Sequence, residues 1–161
     1  MGNLVYCIRA GCIEDAALMD SVSNDEMVDF FLYVKEVHRI VADTQSLERG
    51  SLVKVVTVND LYGVSLLSGE KRFRDALSSS SKIGSSVFPE LNSVTMLLNL
   101  PLLLNAIVGL FKPIFPATVR AKLRFKSGPL GKSVGSLSEV APGGEKREIF
   151  LGQLADLLKE E

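Results

Sequence analysis

The strongest constraint on this fold is an uncharged stretch from Leu91 to Phe111 (LNSVTMLLNLPLLLNAIVGLF). Its length makes it a candidate membrane span, since about 20 apolar residues cross a bilayer as a helix. Pro101 argues against a single helix, because an internal proline removes a hydrogen bond and clashes with the preceding turn at a cost of about 3 kcal/mol. The residues before it are typical of a short strand covered on both faces. We therefore interpret the stretch as a buried strand followed by an apolar helix.

The helix expected from Leu102 to Phe111 is apolar on nearly every side, and only Asn105 and Gly109 interrupt it. A helix of this kind must be covered all round or lie against lipid. It is therefore either a core helix of an α/β domain or a lid over an apolar cavity that can also meet a bilayer.

Composition places the chain among globular domains. Its 161 residues, 47% hydrophobic and 23% charged, suffice for one domain with a core and exclude wholesale disorder. The formal net charge of -1 gives no argument for nucleic acid. An acidic block runs from Glu14 to Asp29 and a basic one from Lys112 to Lys132. These are either two solvated faces or, for the basic block, a rim suited to an anionic membrane. Two cysteines and no secretory signal favour a reduced, cytoplasmic setting.

The remaining pattern predicts alternating strands and helices. Strands are expected at 4–8, 52–58, 94–98 and 122–125, helices at 13–20, 24–45, 68–83, 116–120 and 147–159, and a loop at 127–145. Ser23 and Glu26 form a capping box for the long helix. Strand, helix and strand in succession predict parallel pairing. The inward-facing residues expected on the third and last helices are Phe73, Ala76, Leu77, Ile149, Phe150, Leu154, Leu157 and Leu158.

Motifs for catalysis are weak. Gly131-Lys132-Ser133 resembles the end of a phosphate-binding loop, but Lys126 stands where its first glycine is required. A nucleophile elbow at Ser133 would need a later histidine, and the one histidine, His38, lies upstream as a core or boundary residue. Asp60, at a strand end, could be catalytic and is better explained as the cap of the following turn. We expect no enzyme, catalytic residue, metal or cofactor, with a small hydrolase centred on Ser133 as the remote alternative.

Four segments in order resemble the CRAL-TRIO lipid-binding domains, the family of the phosphatidylinositol-transfer proteins and the α-tocopherol transfer protein. Val58 to Ser65 (VNDLYGVS) is similar to the family's strand end with its D-x-x-G, and Phe88-Pro89-Glu90 to its YPE. Leu98 to Pro101 resembles INAP, and Phe111 to Val119 resembles KPFLDPxT. The resemblance covers residues 4–126, and we expect the family's usual N-terminal helical region to be lacking.

The resemblance implies one α/β domain over 1–161, with a mixed, mainly parallel sheet flooring an apolar pocket and a gate helix closing it. It implies binding of a phospholipid or other hydrophobic ligand, and transfer or presentation between membranes by a cytoplasmic, peripherally associated protein. The residues expected to contact lipid are Val58, Leu66, Phe73, Leu77, Leu98, Leu100, Leu103, Leu104, Ile107, Phe111 and Phe115. Those expected to dock at the membrane are Lys112, Arg120, Lys122, Arg124 and Lys126. The alternative is a membrane- or protein-interaction module whose pocket has collapsed.

Overall fold

The computed structural model describes residues 2–64, 69–100, 121–126 and 136–159. Strands and helices alternate along the first part of the chain, as the sequence predicts. The strands are β1 Leu4–Arg9, β2 Val55–Asp60, β3 Asn92–Leu98 and β4 Leu123–Lys126. The helices are α1 Asp15–Ser21, α2 Asn24–Arg49, α3 Lys71–Val87 and α4 Arg147–Lys159, with short 3-10 turns at Ala10–Cys12 and Leu137–Val140.

The four strands form one sheet in the order β1-β2-β3-β4. The sheet is parallel, and in its last pair Thr95 lies opposite Leu123 and Met96 opposite Arg124. Helices separate the first three strands along the chain, and a helical crossover is what parallel neighbours require. The predicted α/β class and parallel pairing are confirmed.

The long helix α2 starts where the sequence predicts. The Ser23 side chain accepts from the Glu26 backbone N–H, and the Glu26 side chain accepts from the Ser23 backbone N–H, which completes the capping box. The helix ends later than expected, at Arg49 rather than near residue 45, because no helix breaker precedes Gly50. Gly50 has φ 62°, the left-handed conformation that glycine adopts without steric cost.

Two further boundaries differ from the prediction. β2 begins at Val55 instead of residue 52 because the preceding N–H groups of Val53 and Lys54 donate to the side chains of Ser46 and Asn3. The serine run of α3 remains helical to Val87, with hydroxyls that bond back to carbonyls of the same helix; Ser80 Oγ donates to Leu77 O at 3.0 Å.

The chain divides into two units, and the first comprises Met1–Tyr6, Cys12–Thr57 and Val64–Ser93. Its helices α1, α2 and α3 pack around Met19, Met27 and Ala76, with Phe31 and Phe73 against them. Leu77, expected to face inwards beside Ala76, is 41% exposed. Helical spacing places it on the edge of the packed face, and no neighbouring element covers that edge in the described ranges.

The second unit comprises Cys7–Gly11, Val58–Gly63 and Val94–Glu161. Val58, Met96, Leu98 and Leu100 are buried on or just after its strands. In α4, whose predicted bounds are confirmed, Phe150 and Leu154 are also buried. The expectation for Ile149 is wrong, since it is 65% exposed, about 100° around the helix from Phe150.

No helix in the described ranges is both long and apolar enough to span a membrane. The helices expected at 102–111 and 116–120 lie outside the described residues, as does the first part of the predicted loop. A single domain over 1–161 stays a prediction.

Candidate functional site

A polar cluster lies in the second unit where three parallel strands end. Asp60, the last residue of β2, is only 7% exposed. Its Oδ1 accepts from the Tyr62 backbone N–H at 3.0 Å, a local turn typical of aspartate. The same Oδ1 accepts from Asn99 Nδ2 at 2.8 Å, just after β3. The expected capping role of Asp60 is confirmed, and the bond to Asn99 adds a link between strand ends.

Arg9, at the end of β1, completes this group. Its Nε lies 3.8 Å from Asp60 Oδ2, and the two side chains are only 20% and 10% exposed. We call Arg9, Asp60 and Asn99 the strand-end cluster. It connects the ends of β1, β2 and β3 through one carboxylate, so the loss of that carboxylate would remove two hydrogen bonds and one charge contact together.

Backbone conformation is equally specific at these strand ends. The Leu61 N–H donates to Leu98 O at 3.0 Å, which carries the β2–β3 pairing one step past β2. Asn99 then adopts φ 54°, a left-handed conformation that asparagine tolerates better than most residues. After β1, a Cβ on Gly11 would overlap the Tyr62 carbonyl oxygen, so only glycine allows this close approach.

The cluster has the chemistry of a structural site. Burial is the main cause that raises the pKa of the Cys7 thiol, and the nearby Asp60 carboxylate raises this pKa further. Arg9 lowers it by a smaller amount. Cys7 therefore stays protonated at neutral pH and is a poor nucleophile. Asp60 uses Oδ1 for two donors and faces Arg9 with Oδ2. Within the described residues, no three His, Cys, Asp or Glu side chains are grouped to hold a metal ion.

Three of the residues predicted to contact a ligand accompany this cluster in the second unit. Val58 is fully buried on β2, Leu98 is 2% exposed at the end of β3, and Leu100 is 6% exposed next to Pro101. All three are buried apolar residues at or near the carboxyl ends of parallel strands, the region where open α/β sheets bind their ligands, and their contact with a ligand stays a prediction.

Two other predicted contacts lie on α3, in the first unit. The Phe73 ring centroid is 5.9 Å from that of Phe31, in the helix core. Leu77, four residues later on the same helix, is 41% exposed. Packing within the first unit accounts for Phe73, and its contact with a ligand stays a prediction, as does that of Leu77.

The other predicted positions divide between described and undescribed residues. Lys122 and Arg124 are partly exposed, and Arg124 Nη1 donates to Ala121 O at 2.9 Å and Leu123 O at 3.2 Å. Lys126 ends β4. Outside the described residues lie Leu66, Leu103, Leu104, Ile107, Phe111, Phe115, Lys112, Arg120 and Gly131-Lys132-Ser133.

The family is settled by a match to residues 1–139 of the family model described as CRAL/TRIO domain. The chain belongs to the CRAL/TRIO domain family. A search of curated proteins finds no match to it. CRAL/TRIO domains bind small lipophilic ligands, and the resemblance predicted from the sequence is confirmed.

Three of the segments that carry the resemblance lie at turns or bends in the described part of this CRAL/TRIO domain. Asp60 caps the turn after β2, and Gly63 follows with φ 83°. Among the described residues, Glu90 and Asn99 are the two non-glycine residues with positive φ, and both lie in such segments. The role of Arg9 is not predicted from the sequence. The signal that could have identified it is a basic residue at the end of an otherwise apolar strand.

Proposed function

We propose that this CRAL/TRIO domain binds a phospholipid in an apolar cavity and transfers or presents it between membranes. The proposal includes a cytoplasmic location and transient association with the membrane surface. The observation that carries it is the uncharged stretch Leu91–Phe111, whose first part is β3. Leu98 and Leu100 within it are buried, and Asn99 between them is bonded to Asp60.

The physical need for such a cavity is the cost of exposing acyl chains. Each CH₂ group exposed to water costs about 0.8 kcal/mol, so a carrier must seal the chains from solvent. A buried strand end that continues into residues without charge is suited to this task. Val58, Leu98 and Leu100 would form the fixed floor, and Leu103, Leu104, Ile107, Phe111 and Phe115 the cover.

The direct test is native mass spectrometry of the purified protein, followed by solvent extraction and lipid analysis. We expect one phospholipid per chain, and uptake of labelled phospholipid from liposomes by protein freed of lipid. Protein that carries no lipid and takes none up would contradict the proposal. That result would favour an interaction module with a collapsed pocket.

A matched pair of charge insertions tests the proposed cover. Ile107→Asp places a carboxylate against the lipid, and a buried charge without a partner is strongly unfavourable. Asn105→Asp adds the same charge to the same segment at a position outside the proposed lining. We expect labelled-lipid uptake to fall by about tenfold or more in Ile107→Asp, corresponding to about 1.4 kcal/mol, and to persist in Asn105→Asp. Equal losses would contradict the assignment of Ile107.

Membrane docking is tested separately by reversal of charge. A basic residue near an anionic surface contributes about 1 kcal/mol, so Lys122→Glu/Lys126→Glu should reduce co-sedimentation with phosphatidylserine vesicles by more than tenfold. Lys71→Glu/Lys82→Glu makes the same change in net charge on exposed residues of α3 and serves as the control. Equal effects of the two double variants would show that net charge, rather than the proposed basic rim, governs binding.

A further inference from the structure

Helix α2 carries an apolar surface that remains exposed in the described part of the chain. Its packed face includes Met27 and Phe31 in the helix core and Ala42, which is 2% exposed. A different face exposes large apolar side chains, which we call the α2 stripe. The stripe comprises Phe30 (54% exposed), Tyr33 (65%), Val37 (38%), Ile40 (50%), Val41 (39%) and Leu47 (85%).

The spacing within the α2 stripe alternates regularly. Phe30, Tyr33, Val37 and Ile40 follow at intervals of three, four and three residues, and Leu47 lies seven residues after Ile40. Thr44 occupies the intervening position, where its Oγ1 donates to Ile40 O within the helix. At 1.5 Å per residue the stripe is about 25 Å long. An apolar repeat averaging 3.5 residues is the pattern through which one α-helix packs along another.

Scattered exposed apolar residues are ordinary, but a continuous patch marks an interaction surface. Tyr33 and Phe30 supply large, rigid contact surface, and aromatic residues are enriched where protein interfaces are tightest. The regular repeat favours a helical partner, because flat or irregular surfaces would not require apolar residues in a three–four alternation.

Charge beside the stripe indicates which helix it would accept. Asp29, Glu36 and Asp43 follow one another at seven-residue intervals along one flank of the stripe, and we call them the acidic ridge. Arg39 donates to Glu36 Oε1 at 2.6 Å and to Asp43 Oδ2 at 2.7 Å. One guanidinium therefore serves two of the three carboxylates. Over the whole of α2, six acidic residues stand against three basic ones.

We propose that the α2 stripe binds an amphipathic helix of a partner protein, apolar at three- and four-residue spacing and flanked by lysine or arginine. Charges that flank an apolar seam determine which helices pair. The basic flank of the partner would meet the acidic ridge. Ion pairs as exposed as those of Arg39 exchange partners at little cost, so they do not block this contact.

The same charges disfavour two other occupants. In a second copy packed antiparallel, the acidic ridge would face itself. In a parallel copy it would face the other edge of the stripe, where Val34 and Glu48 lie beside Val41 and offer no positive charge. An anionic membrane surface attracts basic segments and repels an acidic ridge.

The test uses the full chain and two labelled three-heptad peptides, with leucine at the a and d positions and either lysine or glutamate at every e and g position. Like charges on both flanks keep each peptide from pairing with itself. Fluorescence anisotropy should show at least tenfold tighter binding of the lysine peptide, with an affinity that falls as salt rises. Ile40→Asp should abolish this binding. Ile149→Asp, at an isoleucine of similar exposure on α4, should leave it intact.

Other outcomes would overturn the proposal. These are equal affinities for the two peptides, or binding that survives Ile40→Asp. Sedimentation that shows a dimer of the chain dissociated by Ile40→Asp would assign the stripe to a second copy. Loss of anionic-vesicle binding in Ile40→Asp, without peptide binding by the original chain, would assign it to a membrane. Because Ile40 lies outside the proposed lipid lining, lipid uptake should be unchanged in Ile40→Asp, which separates this test from that of the carrier function.

Discussion

Two arginine–aspartate pairs in this domain use the same groups in different surroundings. In the first unit, Arg72 Nη2 lies 2.8 Å from Asp20 Oδ1, with side chains 49% and 72% exposed. In the second unit, Arg9 Nε lies 3.8 Å from Asp60 Oδ2, with side chains 20% and 10% exposed. The exposed pair has the shorter distance, yet water screens it and solvates either partner when the other is lost. The comparison indicates that the burial of an ion pair, more than the distance between its charges, decides how much stability is lost when one partner is removed.

The exposed pair belongs to a network that joins α1 to α3. Arg72 also donates to Glu70 and to the Met19 carbonyl oxygen, and the Glu70 N–H donates to Asp15 Oδ2 at 2.7 Å. Hydrogen bonds from Arg72 lower the pKa of the Glu70 carboxyl. Two residues of the acidic block, Asp15 and Asp20, thus accept hydrogen bonds from Glu70 and Arg72 at the start of α3. Both carboxylates remain accessible to water.

The largest predicted effect tests this contrast directly. Asp60→Ala removes the acceptor of the hydrogen bonds from the Tyr62 N–H and the Asn99 amide, together with the carboxylate that faces Arg9. It should lower the free energy of unfolding by about 3 kcal/mol or more. Asp20→Ala, the matched change in the exposed network, should have only a small effect. Urea denaturation measures both. Asp60→Asn, which keeps an acceptor oxygen, should fall between them, and equal losses for Asp20→Ala and Asp60→Ala would break the comparison.

A glycine pair extends the comparison to packing. Gly11→Ala forces a methyl group into the Tyr62 carbonyl and should destabilise by about 1–3 kcal/mol, as overpacking does. Gly152→Ala, in α4, meets no atom within 4 Å and should stabilise by about 0.5–1 kcal/mol through helix propensity. Thermal unfolding of both variants should therefore shift in opposite directions. A Gly11→Ala variant as stable as the original would mean that the strand ends can relax.

The capping box at the start of α2 is a local hydrogen-bonded feature of the first unit. Ser23→Ala removes the capping hydroxyl from the Glu26 N–H and should cost about 1 kcal/mol, less than Asp60→Ala. Ser23→Asp retains a capping oxygen and serves as the control. Circular dichroism during urea unfolding reports both variants. A loss in Ser23→Ala as large as that in Asp60→Ala would mean that the cap of α2 stabilises the protein as much as the strand-end cluster does.

The smallest effect is a pH dependence from one group. Burial and, to a lesser extent, the charge of Lys35 lower the pKa of His38. The centroid of the His38 ring lies 4.4 Å from that of the Tyr6 ring. Below the ordinary histidine pKa near 6.5, the unfolded chain takes up a proton that the folded chain resists. Stability should therefore fall from pH 7 to pH 5. His38→Gln should flatten this slope in urea titrations, and an unchanged slope would assign it to other groups.

What the sequence predicts well is local. Ser23 and Glu26 are three residues apart, and Asp60 caps a turn two residues away, so both roles follow from short-range chemistry. The bond from Asn99 to Asp60 depends on the register of β2 against β3, which no local pattern contains. Leu77 and Ile149 show that local pattern is also insufficient on helices, since both are expected to face inwards but are exposed. Periodicity identifies an apolar face, whereas its coverage depends on which element packs there.

The bond between Asp60 and Asn99 also has a consequence for folding kinetics. It joins residues 39 positions apart, with α3 and all of β3 between them. Closing the intervening chain costs conformational entropy that the contact must offset, and we therefore expect this contact to form late in folding. Interactions absent from the transition state govern the unfolding rate far more than the folding rate. We therefore expect loss of the strand-end cluster to shorten the lifetime of the folded domain more than it slows folding.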